Sequence, residues 1–564
     1  MPHRKSLATV ILAAICGCGP PVVVQPVSAY VNYDLPPDTH RAMLRKMTSS
    51  IHDAPVGSLT QQSLQTMPDL MSAWAQASSV PFHQRSARRF GTNRKNSRDA
   101  LDNIKEAEGL LRRVIDERHA GNRNAELTTG AYNAIIEGWA NAAADANVDM
   151  AKAAAQRAEG ILIEMQRLTM AMAENAHEAS SIEPNTETFR LVLLAWGNVA
   201  RSSKKTADKV FAAHRAWDTL AWMVRQYKSD EDAYAHAKPD ANCFELVMAT
   251  WAQSGHSLAA ERVEELLIIL DRLYQAESGN DDGDGVAIGF HESVLRPNTR
   301  NFDQVLSALA QKAETSPEAA ERAENILTHM EALADQGIES AGPSLASYCA
   351  VSGAWAKVGG IKGSRRADDI LRRVEQHYLR GKDSFQPDCL AYNIVTDSFV
   401  KARSEDSYKL ARKVLDRQIK MHTEHNVQRC KPDVFSFSLV LNGCASAYGS
   451  RKERLKAFRV AKATLDEMEK FGVKPNQVTY GIMLKCANKL LQPGSDKRES
   501  FVRDIFERSR RDGLIDSAVI NSLRLAASPE LFKELLGGYD HCPSSIPSEW
   551  SCNVSKKKPR RAEV

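Results

Sequence analysis

Turn-forming chemistry is scarce in this 564-residue chain: 22 prolines, 30 glycines and 7% aromatics leave little from which to build an all-β fold. The ten cysteines include no CxxC pair and no Cys/His grouping at zinc spacing. A metal ribbon and a deaminase-like HxE/CxxC centre are therefore not indicated. Cys349, Cys444 and Cys486 fall in helical patterns and read as small apolar fillers. No GxxxxGK[ST] phosphate loop is present, and no cluster of aspartates on a strand pattern suggests a metal-dependent nuclease. No cofactor is implied. An excess of one charge is lacking too: 74 basic against 70 acidic residues give +4, too little to show a nucleic-acid partner, so any such argument must rest on placement.

Long apolar runs are also missing. Leu7 to about Cys18, preceded by His3, Arg4 and Lys5, has signal-peptide length and is too short to span a bilayer, so no membrane is expected for the mature form. Val27, Ser28 and Ala29 supply small residues for cleavage, and residues 1–29 read as a targeting leader. The small pair followed by Tyr30 resembles the bipartite leaders of secondary plastids. The expected destination is an organelle, plastid ahead of mitochondrion and nucleus behind both. At the other end, SKKKPRRAEV from Ser555 carries five basic residues. It reads as part of a disordered basic tail over 539–564, open to three uses: loose phosphate affinity, a nuclear address, or solubility. The acidic run from Gly279 spaces Asn280, Asp282 and Asp284 like a calcium loop, but His291 stands where the bidentate Glu belongs, so it reads as a solvated insertion.

What is present is a repeat. An aromatic, a pair of aliphatics three or four residues on, then Trp-Ala or a small equivalent recurs in AYNAIIEGWANA, TFRLVLLAWGNVA, CFELVMATWAQSG, NFDQVLSALAQKA, SYCAVSGAWAKVG, AYNIVTDSFVKA, SFSLVLNGCASA and TYGIMLKCANKL. Tyr132, Ile135, Ile136 and Trp139 fall on one helical face, which must be buried. Trp74, Trp139, Trp196, Trp251 and Trp355 share a register and read as packing residues. A second helix follows each first, as in AERVEELLIILDRL. The junction then ends in Pro before Asn185, Asp240, Asn298, Ser344, Asp388, Asp433 or Asn476. Pro disfavours helix before it, and the Asn, Asp or Ser after it caps the next helix. Two-helix units cannot bury their own stripes, so they must stack with first helices lining one surface. The expected class is all-α, a right-handed superhelical α-solenoid. Its parts are a lead-in at 30–63, poorly ordered or a short helix, and a degenerate first repeat at 64–128. About eight repeats at 129–515 and a partial terminal repeat at 516–538 follow.

The first-helix line, the A-xxx-EM second helix and the closing GVKPN of LDEMEKFGVKPN resemble the pentatricopeptide repeat. The W-xx-LG-xx-Y line of tetratricopeptide repeats is absent. Junction to junction the units run 43 to 58 residues, longer than the ~34 of related two-helix units, which puts one-base-per-repeat spacing in doubt.

The resemblance implies single-stranded RNA as partner. It would be read by the residue after the helix-starting aromatic and the last residue of the junction, with an aliphatic second residue sandwiching the base. On those positions Asn393 with Asp433, flanked by Leu390 and Phe435, would take uracil. Ser438 with Asn476, flanked by Phe435 and Val478, would take adenine. Asn133 with Asn185 would take cytosine, though Gly130 gives it no wedge. Arg190, Glu245, Asp303 and Cys349, with Asp240, Asn298, Ser344 and Asp388, fit no such rule, and Glu187, Asn242, Arg300 and Ala346 are polar or small where a wedge should be. Lys357, Lys401 and Lys489 recur where the family contacts phosphate. The competent surface is expected from about Cys389 to Asn488.

The expected function is an RNA-binding adaptor of organellar RNA processing, stability or translation, without catalysis, with organellar RNA-processing or ribosomal proteins as further partners. A protein-interaction scaffold, such as a component associated with an organellar ribosome, and an RNA-maturation enzyme with an unrecognised site stay open beside it.

Overall fold

The computed structural model describes residues 37–77, 93–122, 124–145, 148–173, 182–277, 294–537 and 547–554. The leader at 1–29, the acidic run from Gly279 and the tail from Ser555 lie outside them. Regular structure among the described residues is helical, with no strand, and no helix there is long and apolar enough to cross a membrane. The chain divides into two compact units, Met1–Ala308 and Leu309–Val564.

The first unit runs α1 (Pro37–His52), α2 (Gln61–Ala77), α3 (Asn93–His119), α4 (Thr129–Asp145), α5 (Val148–Ala173), α6 (Thr186–Ser202), α7 (Thr206–Ser229), α8 (Ala241–Ala252) and α9 (Ala259–Glu277). The division falls inside α10 (Thr299–Lys312). The second unit continues with α11 (Glu318–Asp335), α12 (Leu345–Val358), α13 (Gly360–Leu379), α14 (Cys389–Ala402), α15 (Ser407–Thr423), α16 (Val434–Ala445), α17 (Arg451–Lys470), α18 (Gln477–Leu490), α19 (Asp496–Arg511), α20 (Ser517–Ala526) and α21 (Pro529–Leu536).

Each unit is a stack of helical hairpins. First helices α2, α4, α6 and α8 pack one on the next in the first unit, and α12, α14, α16, α18 and α20 do so in the second. Tyr132, Ile135, Ile136, Phe189, Phe244, Tyr348, Tyr392, Phe437 and Tyr480 are buried, as are all five tryptophans of the shared register. Burying a large apolar side chain contributes about 1.5–3 kcal/mol, so these stripes hold the stack together. The approach is close: a Cβ at Gly138 of α4 would stand 2.1 Å from Ile104 Cδ1 and 3.2 Å from Ala75 Cα.

The lead-in helix α1 buries Leu44, Met47 and Ile51, and Thr48 Oγ1 accepts the Trp74 indole N–H at 2.8 Å. At the other end, part of the stretch expected as disordered tail is docked. Trp550 packs edge-on against Phe506, and its carbonyl accepts the Ile515 N–H at 2.8 Å. That N–H exists because Ile515 stands where Pro343, Pro387, Pro432 and Pro475 precede the caps of other junctions.

A buttress of acids and arginines links neighbouring second helices, and the periodicity did not foretell it. Glu108 of α3 accepts the Trp139 indole at 3.1 Å and the Arg157 Nε of α5 at 3.1 Å. Arg215 of α7 reaches back to Glu159 of α5. In the second unit Glu375 of α13 accepts Tyr392 Oη at 2.8 Å and Arg417 Nε of α15 at 3.1 Å, and Glu324 of α11 accepts the Trp355 indole at 2.9 Å. Burial alone would raise the Glu108 pKa, but Arg157 and Arg112 together hold it below the ordinary carboxylate value.

Candidate nucleic-acid interface

The junctions carry positions expected to read a base, and they share one construction. Second helices α11, α13, α15, α17 and α19 end in left-handed residues, Gly337, Gly381, Asn426, Gly472 and Gly513. The next N–H turns back onto the helix, as Lys382 N–H does to His377 O at 3.1 Å and Val473 N–H to Met468 O at 3.0 Å. Two or more residues later comes the polar residue expected as a cap, and it is one. Side-chain oxygens of Asn185, Asp240, Ser344, Asp388, Asp433, Asn476 and Asp516 accept the N–H three residues on. Each cap therefore commits one side-chain oxygen to folding. Asp433 uses Oδ1 and Asn476 uses Oδ1, so Asp433 keeps a second acceptor and Asn476 a donor amide for other use.

In the second unit the positions expected to flank a base are apolar and exposed. Leu390, Phe435 and Val478 are 59%, 57% and 51% accessible, each the second residue of its helix, on α14, α16 and α18 respectively. These are successive first helices of the stack, each packed on the next. Beside them, Asn393 is only 8% accessible and Ser438 is similarly buried.

The structure joins each expected reading pair through a third residue. Ser438 Oγ lies 3.4 Å from Thr479 Oγ1, which donates to Asn476 Oδ1 at 3.1 Å. Asn393 Nδ2 donates to Cys389 Sγ at 3.3 Å, the thiol lies 3.3 Å from Ser436 Oγ, and Ser436 donates to Asp433 Oδ1 at 3.0 Å. Asn393 Oδ1 has no hydrogen-bond partner. Thr479 and Ser436 escaped the sequence reading, although the signal was there: a hydroxyl three residues after the cap, in NQVT and DVFS, closes a reciprocal capping box.

Asn133 and Asn185 in the first unit are in direct contact. Asn133 Nδ2 donates to Asn185 Oδ1 at 3.2 Å, and Thr188 Oγ1 donates to Asn133 Oδ1 at 2.7 Å. That pair is hydrogen-bonded on both sides of the Asn133 amide, and Gly130 beside it is exposed and bare. Arg190 closes on Glu187 of its own helix, and Glu245 lies 3.9 Å from Arg300.

Lys357 and Lys489 stand exposed in the last turns of α12 and α18. Lys401 is exposed in α14, with Nζ 2.6 Å from Asp397, so its ammonium already has a carboxylate partner. No group of three His, Cys, Asp or Glu that could hold a metal occurs among the described residues.

No protein-family model matches the chain, and no curated protein matches it in sequence. Among the solved structures that resemble it is a pentatricopeptide repeat protein. The crystal structure of the pentatricopeptide repeat protein PPR10 from maize matches with a TM-score of 0.41 and 17% identity, over 91% of this chain and 60% of that one. PPR10 in complex with an 18-nt psaJ RNA element gives 0.29 and 14%, over 88% and 64%. A cysteine-substituted PPR10 with the same RNA element gives 0.21 and 14%, over 95% and 87%. The chain thus spans about 60% of the length of the first of these proteins.

Proposed function

We propose that the hairpins are degenerate pentatricopeptide repeats and that the second unit binds single-stranded RNA along its first helices. One observation carries this reading: Leu390, Phe435 and Val478, apolar and exposed, stand at the same position of three consecutive helices. Exposed large apolar groups spaced regularly beside polar ones are costly for a surface without a partner and fit stacked bases. Uracil between Leu390 and Phe435 would meet Asn393 and Asp433, and adenine between Phe435 and Val478 would meet Ser438 and Asn476. Lys357, Lys489 and, less strongly, Lys401 face the phosphates. The role is that of an adaptor in organellar RNA processing, stability or translation, addressed by the leader at 1–29 and acting without catalysis of its own.

Binding of the chain to a random single-stranded RNA pool at physiological salt tests this, with enriched sequences read out. A U-A step is expected to be enriched, and the preference lost in Asn393→Ala/Ser438→Ala; binding of all sequences alike would defeat it. A protein partner is the second reading, favoured for the first unit by Gly130, Glu187, Asn242 and Arg300 at its wedge positions. A partner that stays bound after ribonuclease treatment supports it.

A further inference from the structure

We propose that Cys389 is a thiol switch set inside the uracil-reading pair, a modification site at which an oxygen adduct turns that step off; this rests on the RNA reading above. Cys389 is the first residue of α14, directly after the cap Asp388. Its thiol is half-buried and not in a disulfide. Asn393 Nδ2 donates to the sulfur at 3.3 Å, and Gln418 Nε2, whose shorter bonds go to Cys430 O at 3.0 Å and Ser436 Oγ at 3.4 Å, lies 3.5 Å from it. Ser436 commits its only proton to Asp433 Oδ1, so the thiol proton is the one that bonds Ser436 Oγ. The order of donors is thereby fixed, from Asn393 to Cys389 to Ser436 to Asp433, and the two reading residues are coupled through sulfur.

The same arrangement leaves two carbonyl oxygens without partners, Asn393 Oδ1 and Gln418 Oε1, on side chains 8% and 0% accessible. Buried amide oxygens of this kind call for a donor. Hydrogen peroxide supplies one: the sulfur attacks one peroxide oxygen, an S–O bond forms as the O–O bond breaks, and the departing oxygen takes the thiol proton and leaves as water. Sulfur is oxidised to sulfenic acid and peroxide is reduced. The new S–O–H brings a donor and an extra oxygen within reach of Asn393 Oδ1 and displaces the amide from its place on sulfur. The other thiols of this region are protected, since burial pushes Cys349, Cys430 and Cys444 up to about 12 and keeps them protonated.

The experiment treats the full chain with low hydrogen peroxide, traps sulfenic acid with dimedone for peptide mapping, and measures binding to a U-A-containing RNA before and after dithiothreitol. Cys389 is expected to be tagged along with the exposed Cys552 and ahead of Cys349, Cys430 and Cys444. Affinity should fall about tenfold and return on reduction, the scale of one stacked base. Whatever affinity Cys389→Ser retains should be the same with and without peroxide, whereas Cys552→Ser should stay sensitive. A Cys389 left untagged while Cys552 reacts overturns the switch, as does a tagged Cys389 with unchanged affinity. Reduced protein with no preference for the U-A RNA overturns the reading itself, and the mapping tells the two failures apart.

Discussion

The two units are built alike and differ on one edge. Both stack first helices through buried aromatics, and both tie second helices together with arginine-carboxylate contacts such as Arg157 to Glu108 and Arg417 to Glu375. At the second position of the first helices the second unit shows Leu390, Phe435 and Val478 on α14, α16 and α18, between Ala346 on α12 and Ala518 on α20, whereas the first shows Gly130, Glu187 and Asn242. The reading position follows suit: Asn133 is held on both sides by Asn185 and Thr188, while Asn393 keeps an unpartnered oxygen. A shared scaffold with unlike edges teaches that what holds the stack together is separable from what its edge presents.

The buttress is where the units should not differ, and it carries the largest expected effect. Glu108→Ala strands the Trp139 indole and Arg157, and Glu375→Ala strands Tyr392 and Arg417; each should lose about 1–3 kcal/mol in denaturant unfolding. A loss confined to one unit would break the comparison. Because Arg157 and Arg112 depress the Glu108 pKa, its contribution is full above the ordinary value of 4.5 and lost as pH falls below it. Acid titration of Glu108→Gln should therefore show a shallower decline than the parent.

Leu390→Ala/Phe435→Ala should weaken binding of U-A-containing RNA by about 1–3 kcal/mol, with the melting temperature nearly unmoved because both side chains are exposed. Equal loss of stability and affinity would mean the wedge is only core. Asp433→Ala and Asp240→Ala each remove a helix cap, costing about 1 kcal/mol in thermal unfolding. Only the former is expected to lower RNA affinity beyond that, and parity between them would erase the distinction between units.

The comparison can also be sharpened by conversion. A Cβ at Gly130 meets nothing nearer than Thr128 Oγ1 at 3.9 Å, so Gly130→Val/Glu187→Val would give Asn133 and Asn185 a wedge on either side. A gain of about threefold for a longer RNA, less than one full stacked base, is expected. Smallest of all, Lys489→Ala should lower the salt slope of binding by about one and Lys401→Ala by less, given its Asp397 contact; slopes that do not separate would sink that ordering.

Much of this was legible in the chain. Periodicity placed Tyr132, Ile135, Ile136 and Trp139 on a buried face, and the Pro-Asp and Pro-Asn junctions located the caps, because both signals lie within a few residues of each other. What was not legible joins residues far apart in sequence. The Cys389–Ser436 and Ser438–Thr479 couplings and the Glu108–Trp139–Arg157 contact depend on how neighbouring hairpins seat. The lead-in gave no warning that Trp74 would bond Thr48, nor the tail that Trp550 would return to the carbonyl-starved Ile515. The candidate site came from the resemblance; the hydrogen bonds among its residues came only from the fold.

The caps carry a last consequence. The junctions at 185, 240, 298, 344, 388, 433, 476 and 516 each end in a short side chain that can accept a backbone N–H, drawn from Asn, Asp and Ser. Folding thus limits the alphabet in which specificity can be written: a change between Asp and Asn swaps the outward atom from acceptor to donor and keeps the helix start, whereas a move outside the set is a spelling error that the helix rejects first. New preferences can accordingly arise by single substitutions that the scaffold does not notice.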